Sequence, residues 1–189
     1  MFYSDSYRQL YIKTNGDMYV LGDNRWSKFK ANYKEVIDEP LLLGSNFRFV
    51  STGQHNCLAV DNEGNCYYFG WRSPTSFNAG ESAATLTKIA ENVKSAYIQD
   101  EHAILLSEDG KVYGFGLNNF GQIAPDLQNK MSPYLIMEDC ISCGAGTHYS
   151  AAIKSNGEVW LWGNNSQGTI GNGKISDSYT APYKALTIK

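Results

Sequence analysis

Long apolar runs are missing from this sequence. Among its 189 residues, no stretch approaches the roughly 20 apolar residues that a bilayer-spanning helix needs. The opening residues, Met1 to Arg8, lack the basic-then-apolar order of a secretory leader, so a cytoplasmic chain is expected. Charge is also sparse. Sixteen Lys and Arg stand against 19 Asp and Glu, a formal net charge of −3. Affinity for nucleic acid comes mostly from neutralised phosphates, so neither nucleic acid nor a membrane is an expected partner. Collagen-like and coiled-coil compositions are absent. Disorder is excluded by what is plentiful, 42% hydrophobic and 13% aromatic residues.

Catalytic signatures are missing as well. There is no G-x-S-x-G elbow and no H-E-x-x-H pair. Gly168 to Lys174 has the outline of a phosphate loop, but Ile175 stands where a magnesium-binding hydroxyl belongs. Asp38-Glu39 and Glu138-Asp139 precede strands and read as solvated carboxylates. Cysteine is scarce. Cys140 and Cys143 form a lone C-x-x-C, and Cys57 with Cys66 does not supply the second pair of a zinc site. All four read as small core residues. The chain is therefore expected not to be an enzyme and to carry no cofactor and no metal.

What is present is a repeat. Four segments align: Thr14-Asn-Gly-Asp-Met-Tyr-Val-Leu-Gly22, Asn62-Glu-Gly-Asn-Cys-Tyr-Tyr-Phe-Gly70, Glu108-Asp-Gly-Lys-Val-Tyr-Gly-Phe-Gly116 and Ser155-Asn-Gly-Glu-Val-Trp-Leu-Trp-Gly163. Their turn glycines, Gly16, Gly64, Gly110 and Gly157, are 48, 46 and 47 residues apart. In each segment Asn-Gly, Glu-Gly or Asp-Gly supplies the positive φ of a hairpin turn. An apolar strand precedes the turn and an aromatic-rich strand follows it. Two shorter runs complete each unit. Four short strands in about 47 residues is the size of one propeller blade. Helical periodicity is weak, and only residues 31–37 and 79–90 suit a helical turn.

The run from Cys143 through His148, Asn156-Gly157, Val159-Trp-Leu-Trp-Gly163 to Gly171-Asn-Gly173 resembles the regulator of chromosome condensation repeat. Asp109-Gly-Lys-Val-Tyr-Gly-Phe-Gly-Leu-Asn-Asn-Phe-Gly-Gln-Ile resembles it equally well. The second repeat departs after Gly70, at Trp71-Arg72, and the first keeps only its hairpin. The resemblance implies an all-β propeller, typically seven-bladed, whose relatives act on other proteins. Here four blades are expected, at residues 1–47, 48–93, 94–140 and 141–189. Joining the end of the chain to its start continues the period at 48 residues. Three readings fit: a four-bladed ring, an arc of a larger propeller, and two chains joined head to tail into eight blades. The two-chain ring is the expectation taken forward, because open sheet edges are avoided.

His55 and His148 share one repeat position and read as architectural. The loops after the closing glycines are the expected binding surface, since equivalent loops of successive blades gather on one face. The expected partner-binding residues are Arg25, Trp26, Trp71, Arg72, Asn118, Phe120 and Asn165, chosen because Trp and Arg anchor many protein interfaces. The function expected is that of a non-enzymatic module binding another protein. The alternatives are a propeller binding a sugar or nucleotide, and a self-assembling repeat scaffold.

Overall fold

In the computed structural model, which describes residues 2–4, 8–25, 29, 35–53, 55–70, 83–99, 102–126 and 128–188, the four repeats form four antiparallel sheets of four strands each. The first holds β1 Phe2–Ser4, β2 Arg8–Ile12, β3 Met18–Asp23 and β4 Val36–Gly44. The second holds β5 Phe47–Thr52, β6 Asn56–Asp61, β7 Cys66–Gly70 and β8 Ala83–Ala90. The third holds β9 Val93–Gln99, β10 His102–Ser107, β11 Val112–Gly116 and β12 Lys130–Met137. The fourth holds β13 Cys140–Ala145, β14 Tyr149–Lys154, β15 Glu158–Asn165 and β16 Ser176–Thr187. In every sheet the strands lie side by side in chain order. Residues 83–90, read from sequence as suited to a helical turn, are strand β8. The segment pairs with β7, Cys66 opposite Ala90 and Gly70 opposite Ala83.

The turn glycines organise the step from one sheet to the next. Gly16, Gly64, Gly110 and Gly157 all have φ between 80° and 86°. The carbonyls of the first three accept hydrogen bonds from Phe47, Val93 and Cys140, the first residues of the following sheets. Gly157 receives the same bond from Ile188. Asn46, Asn92 and Asp139, with φ of 72°, 58° and 61°, make the short turns between sheets.

Strand alternation gives each sheet two faces. On the first sheet Leu10, Ile12, Met18 and Val20 point at the second and pack with its Phe47, Val50, Cys57, Ala59 and Phe69. Leu58, Val60, Cys66 and Tyr68 of the second sheet meet Ala96, Ile98, Ala103, Leu105 and Phe115 of the third. Ile104, Leu106 and Val112 of the third meet Cys140, Cys143, Ala152 and Trp162 of the fourth. The rule is positional. Residues six and four before the turn glycine, and two and four after it, face the next sheet; those seven and five before, and three and five after, face the previous one. Arg48 adds a polar staple between the second and third sheets. It donates to the carbonyls of Asp61, Val93 and Lys94 and pairs with Glu108 at 2.8 Å.

Among the described residues, four sheets are thus joined by three cores, each between neighbours in sequence. First strands touch in succession, β1 on β5, β5 on β9 and β9 on β13, which places them at the inner edge of a fan. No core joins the fourth sheet to the first among these residues, so they form an open arc, not the four-bladed closed ring that the period also allowed.

Candidate functional site

Each hairpin ends at a second glycine, from which a loop leaves along one edge of the arc. Gly22, Gly70, Gly116 and Gly163 have φ of 102°, 142°, 112° and 106°. A side chain is excluded at two of them by space as well. A Cβ on Gly70 would lie 2.5 Å from the His55 carbonyl oxygen, and one on Gly163 would lie 2.6 Å from that of His148.

Two residues beyond the glycine, three of the four loops carry asparagine: Asn24, Asn118 and Asn165. All three are buried. Asn118 Oδ1 accepts from the amides of Ile123 and Ala124, and its Nδ2 donates to the carbonyls of Ala124 and Gln128. Asn165 Oδ1 accepts from the amide of Ile170, and its Nδ2 donates to Asn172 and to the carbonyl of Lys174. Asn24 Oδ1 takes the amide of Phe29. Phe29, Ile123 and Ile170, five residues after the asparagine, are buried as well. Asn118 and Asn165 were expected on the binding surface. Their polar atoms are instead spent on shaping the loops from within.

Arg25 is exposed at the start of the first loop. Its backbone amide and guanidinium both bond to Asp23, at 2.8 and 2.7 Å. That guanidinium holds the Asp23 carboxyl below its usual range. Phe120 is half-buried at the tip of the third loop. Its ring stacks on His148 at 4.3 Å, and its amide donates to Gln122 Oε1. Trp26, Trp71 and Arg72 lie outside the described residues. Of the expected residues within the described loops, Arg25 is exposed and Phe120 is half-buried.

Beneath Phe120 a polar seam crosses from the third sheet to the fourth. The Gln122 carbonyl accepts from Ser150 Oγ at 2.8 Å and from Trp162 Nε1 at 2.9 Å. His102 Nε2 lies 3.0 Å from Ser150 Oγ. The only hydroxyl proton of Ser150 goes to Gln122, so His102 Nε2 is the donor in that contact. Burial, with His148 nearby, pushes the His102 pKa down to about 3, so the ring is neutral. Asn24, Gln122 and Ser150 were not singled out from sequence. The recurring Gly-x-Asn of three loops was the signal for the first. Elsewhere, a cleft of about 250 Å³ opens between the second and third sheets, lined by Glu91, Asn92, Asp109, Tyr113 and Pro133 among others.

Fold and loops define a propeller-type repeat protein. Within it, the family model of the regulator of chromosome condensation (RCC1) repeat matches residues 100–122. The X-linked retinitis pigmentosa GTPase regulator of Canis lupus familiaris is 32% identical over 136 residues, which cover 65% of this chain and 14% of that protein. Protein pim1 of Schizosaccharomyces pombe is 26% identical over 202 residues, 92% of this chain and 37% of pim1. Among solved structures, Prp20p of Saccharomyces cerevisiae superposes with a TM-score of 0.83 at 18% identity, over 99% of this chain and 50% of its own. Human WBSCR16 gives 0.80 at 20% identity, over 99% and 52%. The family model and the curated relatives point to repeats similar to those of RCC1, and the solved structures support the propeller fold alone. The chain spans well under half the length of these curated relatives and about half of the solved structures.

Proposed function

We propose that this chain is a non-enzymatic interaction module that recognises another protein through the closing-loop edge of its propeller arc, within a larger ring. The observation that supports this best is the construction of that edge. Buried asparagines hold the third and fourth loops from inside, Arg25 is exposed at the start of the first loop, and the half-buried Phe120 ring is fixed by its stack on His148. Little conformational freedom is then lost on docking. Structural neighbours are consistent with this role. Prp20p is described as binding Gsp1p and histones, and yeast RCC1 as bound to Kap60. Two further relatives are named as E3 ligases, but the chain spans only 4% of one and 18% of the other, so no ligase chemistry is proposed for it. Trp26, Trp71 and Arg72 are proposed for the same edge on their sequence positions alone.

The test is quantitative affinity capture with the wild-type chain and with Arg25→Ala/Phe120→Ala, both checked for an unchanged melting temperature. A protein retained by the first and lost by the second is the expected result. Equal retention by both would move the site elsewhere. Saturable binding of a sugar or nucleotide at one copy per blade, with no protein retained, would establish the small-ligand alternative.

A further inference from the structure

At the edge opposite the closing loops, the second and third sheets part around the cleft of about 250 Å³. The residue three after each turn glycine is aromatic: Tyr19, Tyr67, Tyr113 and Trp160. The residue three before the same glycine is Lys13, Asp61, Ser107 and Lys154 in turn. In three repeats this second residue covers the first. Lys13 Nζ stands 4.8 Å from the Tyr19 ring centre, and Lys154 Nζ 5.8 Å from that of Trp160. The Tyr67 hydroxyl donates to Asp61 Oδ2 at 3.1 Å. In the third repeat the cover is missing. Ser107 is short, and its hydroxyl donates to Asp109 and accepts from the Lys111 amide. Among the described residues, Tyr113 has no hydrogen bond through its hydroxyl and no cation or second ring against its own.

Two replacements keep that place open. In the join between the first and second sheets, the Phe47 ring stands edge-on to Tyr67 at 5.8 Å, and Leu86 packs on the same core. Strand register puts Val93 where Phe47 stands, and Pro133 where Leu86 stands, in the join between the second and third. Both are smaller, and both line the cleft. In the join between the third and fourth sheets the larger Trp160 takes the tyrosine's place and packs on the core. The space beside Tyr113 is thus the space that Phe47 and Leu86 fill beside Tyr67.

What this cleft lacks is what the chain itself supplies in the first and fourth repeats, a cation on an aliphatic stem. Ile89, Leu105 and Pro133 offer apolar wall to a stem, and the exposed carboxylates of Glu91 and Asp109 offer charge to its end. Lys88 and Lys111 pair with those carboxylates at 2.6 and 2.8 Å. Exposed pairs of this kind hold weakly, and a carboxylate has room for a second donor. The volume falls below the roughly 300–1,000 Å³ of pockets for drug-sized molecules, and it suits one side chain. We propose that the cleft receives a lysine side chain of a partner protein, with its ammonium against Tyr113 and Asp109. This contact is separate from the closing-loop edge. Strand β10 meets that edge at His102, opposite Gly116, and reaches the cleft at its other end, Ser107.

The test is a titration of the isotope-labelled chain, followed by its amide resonances, with an acetylated and amidated Gly-Lys-Gly peptide as the probe. Saturable shifts at Asn92, Ser107 and Tyr113 are expected. The same peptide with norleucine for lysine keeps the stem and loses the ammonium, and it is expected to bind roughly three- to tenfold more weakly. Pro133→Leu supplies the residue that Leu86 supplies in the first join. It is expected to weaken the lysine peptide by at least as much, with an unchanged melting temperature. Tyr113→Leu and Asp109→Asn are expected to weaken it too. Glu39→Gln, which removes an exposed carboxylate from the first sheet, is expected to leave binding unchanged. Should Tyr113→Leu fail to fold, Pro133→Leu decides alone. A wild type without saturable shifts overturns the proposal. So does equal binding of the norleucine peptide, which marks a merely apolar slot, or full binding by Pro133→Leu, which puts the site elsewhere. Equal losses in Glu39→Gln and Asp109→Asn overturn it as well, because they mark general attraction of a basic peptide to an acidic chain.

Discussion

His102 of the third sheet donates its Nε2 proton to Ser150 of the fourth across 3.0 Å, and Ser150 passes its own proton to the Gln122 carbonyl. One buried, neutral ring thus ties two blades to the loop above them.

That ring makes the fold sensitive to acid. The His102 pKa falls from its ordinary 6.5 to about 3 on folding. Between those values the unfolded chain holds the extra proton, so stability is intact above pH 6.5 and is lost as pH falls below it. From pH 7 to pH 5 the loss from this residue is on the order of 2 kcal/mol. Urea unfolding at the two pH values, on wild type and His102→Gln, is expected to show this difference only with the histidine.

Asn118 predicts a split between neighbours. Asn118→Ala leaves two buried amides without acceptors and is expected to cost about 2–4 kcal/mol. Asn119 is exposed, and Asn119→Ala is expected to change stability by less than about 0.5 kcal/mol. Thermal unfolding of the two variants side by side makes the comparison.

Two glycines with positive φ separate strain from collision. Gly171 has φ 71° and nothing within 4 Å of an added Cβ, so Gly171→Ala is expected to cost about 1–2 kcal/mol. Gly163→Ala adds a 2.6 Å approach to the His148 carbonyl and is expected to exceed about 3 kcal/mol. Similar melting temperatures for the two would contradict this account of the closing turn.

The cysteines predict silence. Cys57, Cys66 and Cys143 are buried, burial pushes the Cys66 thiol up, and Cys143 is raised to about 12. A thiolate is the reactive species, so a disulfide reagent at pH 8 is expected to label these three only after urea is added. Rapid labelling of the native chain at Cys57, Cys66 or Cys143, located by peptide mapping, would show the joins opening freely.

Much of this architecture is legible in the residue string. A turn glycine recurring every 46–48 residues, with six residues to the next glycine, marks the hairpins, and apolar alternation around it marks both packing faces. The loop edge is less legible. Asn118 and Asn165 look like surface residues by type, because polarity reports nothing about which backbone groups a side chain will meet once its loop folds back. Asn24 shares their place, and that shared place is the sign of an inward role. Ser150 and Gln122 come together only because the third loop reaches over the fourth sheet, a contact that no local pattern encodes.

The three cores lie in series, each touching only its neighbours. An array of this kind melts like a row of coupled units, and its outermost members fray first because each leans on one neighbour instead of two. The first and fourth sheets should therefore exchange their amide protons sooner than β6 and β10, whose side chains are buried along their whole length. Covering both ends at once would give every sheet two neighbours and remove the fraying sites altogether.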